Sequence, residues 1–160
     1  MSENWNLLHL KLKSNMQQEL SISRDLLGNM HQEELSLIIQ DQPSWNRVMI
    51  HRSQMLERLK TLRLQRVETT QEIVKTLGLK EANCDLEKLL PLNEEISYEI
   101  FNIRDQLIAL TERMNHQQNL NHHLIEHKNS LMSQAQRQPL AQKSSKTGVT
   151  TCTLKRGGYN

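Results

Sequence analysis

The chain has 160 residues, enough for one domain with a modest core, and its aromatic residues are only Phe101, two Trp and two Tyr. Gly and Pro are scarce while Leu, Gln, Glu, Lys, Arg and Asn dominate; such side chains lose little freedom in a helix, which excludes a strand-rich fold and predicts an all-α one. Residues 1–136 hold 15 Lys/Arg against 18 Asp/Glu, whereas Arg137, Lys143, Lys146, Lys155 and Arg156 stand in a tail without a single acid.

The opening MSENWNLLHLKLK carries Glu3 and Asn6 and lacks a basic start followed by an apolar run, so it does not resemble a secretory leader. From roughly Glu3 to Gln40 the pattern predicts a first helix, with Trp5, Leu8, Leu12, Met16, Leu20, Leu27, Met30 and Leu37 at spacings built mostly from threes and fours. Pro43 stops it, because proline removes a backbone donor and fits only a helix's first turn. Asp41 or Ser44 then caps a second helix by accepting a bond from an otherwise unpaired amide.

That second helix runs to about Leu77, with Trp45, Val48, Met55, Leu59, Leu62, Ile73 and Leu77 as its stripe and Arg52, Arg66 and Thr69 as interruptions. Gly78 suits the left-handed position that closes many helices. So short a connection predicts that the first two helices fold back as an antiparallel hairpin. The connector GLKEANCDLEKLLP contains at most a short helical turn or two, with Asn83 as a cap and an end near Leu90.

A third long helix is predicted over about Leu92 to Arg137. Ile96, Ile100, Ile103, Leu107, Leu110, Met114, Gln117, Asn121, Leu124, Lys128, Leu131 and Ala135 alternate spacings of four and three, a coiled-coil repeat. Up to Met114 every seam position is apolar, after which Gln117, Asn121 and Lys128 interrupt it. Burying such groups unpaired costs on the order of 1–3 kcal/mol each, so the C-terminal half is expected to be less buried and open to a partner. The expected organisation is a helical domain over 1–136 and a basic flexible tail over 137–160.

His123, Glu126 and His127 have the His-x-x-Glu-His spacing of one class of zinc peptidases. Such a site needs a third ligand, normally a downstream carboxylate, and no Asp or Glu follows Glu126. Glu94, Glu95 and Glu99 read as acids complementing a helix N-terminus, and Cys84 and Cys152 form no C-x-x-C. No catalytic residue, metal or cofactor is expected. Sparse basic residues and few aromatics argue against nucleic-acid binding, and no apolar run approaches the roughly 20 residues of a membrane span, so a cytoplasmic protein without stable membrane insertion is expected.

The chain resembles the FlgN-type flagellar export chaperones. Glu34, Leu37 and Asp41, then Arg52, Leu56, Leu59, Leu62 and Arg66, closing on Leu77-Gly78, follow that family's hairpin. Asn121-His-His-Leu124-Ile125 matches the second half of its Asn-x-x-Asn-x-x-Leu-Leu/Ile motif, with Gln118 in place of the first Asn, and Gly148 and Arg156-Gly157 resemble its glycine-containing tail. The resemblance implies a binding protein without catalysis, which holds the helical C-terminal region of hook–filament junction proteins, or of another secreted helical client, and hands it to the type III export apparatus. The partner surface is then expected at Leu120, Asn121, Leu124, Ile125, Leu131 and Met132, with Gly148, Arg156 and Gly157 docking the export machinery, in a monomer or homodimer. A second reading makes the chain a structural coiled-coil scaffold that self-associates through the third helix, motivated by the Ile96-to-Met114 seam.

Overall fold

A computed structural model describes residues 2–79, 86–90 and 95–137. All the elements are helical: α1 (Ser2–Ile38), α2 (Gln42–Leu77), a short α3 (Leu86–Leu89) and α4 (Glu95–Arg137). The predicted all-α architecture, a hairpin followed by a long helix, is the observed one. Asn83, Cys84, Glu94, Cys152 and the tail residues Gly148, Arg156 and Gly157 lie outside the described residues. No helix among the described residues is long and apolar enough to cross a membrane.

Helix α1 ends two residues earlier than its pattern suggests. The Gln40 amide donates to Leu37 O at 3.3 Å and that of Asp41 to Ser36 O at 3.0 Å, a Schellman closure with Gln40 in the left-handed region at φ 57°. Asp41 then caps α2, its Oδ1 accepting from the Ser44 amide at 3.1 Å. Two hydrogen bonds donated by Ser44, from its hydroxyl and then its amide, together with the nearby Arg47 hold the Asp41 carboxyl below its ordinary value. At its far end α2 closes in the same way, with Gly78 at φ 66° and bonds from Gly78 to Lys75 O and from Leu79 to Val74 O, both at 3.1 Å.

Contacts divide the chain into Met1–Ile125 and Glu126–Asn160. In the first unit α1 is the central helix. Along it, bonds to α2 run antiparallel, from Lys11–Glu72 through Asn15–Thr69 and Glu19–Arg66 to Asn29–Arg52. Those to α4 run parallel, from Lys13–Glu99 through Arg24–Gln106 to Glu34–Gln117.

Two apolar clusters fill the unit. One joins Leu8, Leu12, Met16 and Leu20 to Ile73, Val74, Ile100 and Ile103, and also takes in Leu89 and Leu90. The other joins Ile22, Leu26 and Met30 to Met55, Leu59, Leu62 and Met114. Each fully buried aliphatic side chain contributes roughly 1.5–3 kcal/mol relative to exposure. Leu89 and Leu90 of the connector are thus part of the core, and Val74 replaces Leu77, which is 39% exposed, at the end of the α2 stripe. The described part of the second unit is the last turns of α4, where Leu131 and Met132 are exposed.

Candidate functional site

Two of the polar interruptions read in the α4 seam, Gln117 and Asn121, fall inside the first unit, and both are paired. Asn121 is 2% exposed; its amide nitrogen donates to Met30 O at 2.8 Å and to Glu33 Oε2 at 2.6 Å. Gln117, 5% exposed, donates to Asn121 Oδ1 at 2.9 Å and to Glu34 Oε2 at 2.7 Å. From α2, Arg52 reaches the same Glu33 oxygen through Nη1 at 2.8 Å and Asn29 Oδ1 through Nε at 2.9 Å. Asn29 in turn donates to Val48 O at 3.0 Å. One buried carboxylate, Glu33, therefore receives hydrogen bonds from both neighbouring helices.

The expected loss of burial at Gln117 is corrected: the cost of unpaired polar groups does not arise, because α1 supplies their partners. Asn121 faces inward and joins α4 to α1. Leu124 and Ile125 are half-buried, while Leu120 is 40% exposed. In the second unit Leu131 and Met132 are 52% and 54% exposed and Lys128 is half-buried. Met114, the last residue of the uninterrupted apolar seam, is a core residue.

Closer to the other end of the hairpin, buried Glu19 accepts from Arg66 Nε at 2.6 Å, and Asn15 donates to Thr69 Oγ1 at 3.3 Å. His9 is fully buried, with Nε2 3.3 Å from Leu89 O and Trp5 edge-on at 4.3 Å; the Leu89 contact requires the proton on Nε2. These side chains order the bundle. Glu99 pairs with Lys13, and Glu95 lies in the first turn of α4, consistent with the helix-terminus reading of these acids. His123, Glu126 and His127 are all exposed, and among the described residues no group of three His, Cys, Asp or Glu side chains is placed to hold a metal ion.

What the arrangement offers chemically is apolar surface. Besides the α4 residues, Leu35, Ile38 and Ile39 at the end of α1 are 58%, 59% and 59% exposed, a concentration the sequence pattern did not single out. A helical pattern assigns faces but not which face a neighbour covers, and these three stand beyond the reach of the buried stripe.

Fold and surface together define an all-α bundle of a helical hairpin and a long helix, internally locked by buried polar pairs and carrying exposed aliphatic positions. No protein-family model, curated protein or solved structure matches the chain.

Proposed function

We propose that the chain is a cytosolic, non-enzymatic export chaperone of the FlgN type. In this reading it holds the helical C-terminal region of hook–filament junction proteins, prevents their premature assembly and delivers them to the type III export apparatus. The observation that carries it is the exposure of Leu131 and Met132 at 52% and 54% in the last turns of α4. A client helix covering such residues gains about 25 cal/mol per Å² of apolar surface removed from water. Gly148, Arg156 and Gly157 take the docking role at the export machinery.

Self-association through the α4 seam lacks a surface in this fold: Ile100, Ile103, Leu110 and Met114 are 0%, 6%, 7% and 8% exposed within the chain's own bundle. Calorimetric titration with the C-terminal segment of a junction protein from the same organism tests the chaperone reading. The expected result is stoichiometric binding with a negative heat-capacity change. Leu131→Ala with Met132→Ala weakens it without loss of helicity, and Leu124→Ala, at a half-buried site, lowers stability as well. No heat from two folded, soluble components would remove the reading.

A further inference from the structure

We propose that the end of the α1–α2 hairpin is a separate docking surface, fitted to an aliphatic helix of a partner protein that carries Asp or Glu beside its apolar stripe. This surface uses no residue of α4 and stands independently of the client-binding reading.

Its walls are the last turns of α1 and the first turns of α2. Leu35 and Ile39, 58% and 59% exposed, line a groove against half-buried Val48. Ile38 is also 59% exposed. Leu35 and Ile39, one helical turn apart, thus put two large exposed aliphatic side chains on one wall of the groove, with exposed Ile38 outside its lining. The groove spans about two helical turns, or roughly 10 Å, which matches anchors spaced i, i+3 or i+4, and i+7 on a bound helix.

Charge selects the occupant. Arg47 and His51 are the ionisable groups lining the groove, and no acid lines it. Arg47 Nη2 donates to Ser44 Oγ at 2.8 Å, which steadies an exposed guanidinium beside the apolar wall. Asp41 shares this turn, but its two oxygens accept from Ser44 and it does not line the groove. A guanidinium at the rim of an apolar groove favours a carboxylate on the incoming helix and disfavours a cation.

The chain's own tail is a poor occupant, since residues 137–160 bring five basic groups and no acid. A second copy docking the same patch by two-fold symmetry would bring Arg47 no carboxylate from the facing groove, since no acid lines it.

The test uses the full-length protein and two fluorescein-labelled synthetic helices with one leucine stripe, flanked by Glu in one and by Lys in the other. The Glu helix is expected to bind saturably and about tenfold more tightly than the Lys helix. Arg47→Glu reverses that preference. Ile39→Ser weakens both by about tenfold with an unchanged circular dichroism spectrum, and Leu35→Gln repeats the test one turn away. Leu131→Ser leaves the binding unchanged, which separates this surface from the α4 one. Equal binding of the two helices, indifference to Arg47→Glu, or no binding at millimolar peptide overturns the proposal. So does tighter binding to phosphatidylglycerol vesicles than to the Glu helix, which would make the patch a lipid-facing one, or self-association of the free protein that Ile39→Ser abolishes.

Discussion

Asn121 and Glu33 are 88 positions apart and are joined by a 2.6 Å hydrogen bond from the amide to the carboxylate. Through that bond α4 is tied to the same buried acid that Arg52 of α2 neutralises. Removing the amide with Asn121→Ala takes one of its two acceptors from Gln117, which keeps Glu34, and takes a donor from buried Glu33, at a cost of about 1–3 kcal/mol. The expected readout is a melting temperature lower by roughly 3–10 °C. An unchanged melting temperature together with weakened client binding would instead place Asn121 in the partner contact.

Arg52 and Glu33 form an ion pair in which both partners are largely buried. Their side chains are 13% and 6% exposed, so Arg52→Met leaves a buried carboxylate without its cation and costs about 3–5 kcal/mol. Adding Glu33→Leu recovers most of that loss, because two apolar residues replace the pair. A double-mutant cycle in urea measures the coupling, and additive effects would show that the pair does not act as a unit.

Both hairpin helices end in the left-handed region, one with glutamine and one with glycine. Gln40→Gly relieves a side chain held at φ 57° and is expected to stabilise by about 1 kcal/mol. Gly78→Ala does the opposite by a similar amount, and with no atom within 4 Å of the added Cβ the effect is one of backbone conformation alone. Opposite shifts of the urea midpoint at unchanged slope check the pair; shifts in the same direction would refute the strain argument.

The Asp41 cap gives a pH dependence of known sign. Its folded carboxyl is held below the reference value of 3.8, chiefly by the Ser44 hydroxyl and then by the Ser44 amide. Such a group stabilises the fold fully above its unfolded pKa, and the contribution is lost as pH falls through the lowered folded value. The wild-type protein should therefore melt above Asp41→Ala at pH 7, with the gap narrowing in strong acid. A gap that is the same at both ends of the range would mean that the charge plays no part in the cap.

Helix ends were legible where a residue type announces them. Pro43 and Gly78 mark the hairpin and the end of α2, and the heptad spacing placed α4 to its last described residue. Gln40 was not legible, since a left-handed glutamine looks like any other helix former. The stripe of α2 read as broken at Arg52, Arg66 and Thr69 because a single helix cannot show what faces it. Each break has its answer on α1, with Asn29, Glu19 and Asn15 lying 23, 47 and 54 positions away.

The same limit governed the candidate site. Gln117 and Asn121 looked like the place where packing fails, yet the residues that satisfy them, Glu34, Met30 and Glu33, are more than 80 positions away. Leu131 and Met132 read as open positions because Gln117, Asn121 and Lys128 interrupt the apolar seam ahead of them. Leu89 and Leu90 were overlooked for the converse reason: four helical residues carry no periodicity, although both side chains are buried at 1% and 4%.

The paired rungs along α1 and α2, Asn15 with Thr69, Glu19 with Arg66 and Glu33 with Arg52, make the hairpin sensitive to length in a way that it is not to spelling. A substitution at one rung removes one rung. Deleting a single residue from the middle of α1 turns everything beyond it by about 100° and shifts it by about 1.5 Å, so the later rungs all lose their partners together. Variation in this chain is thus expected to accumulate as replacements within the two helices, while changes of length are confined to the segments that join them.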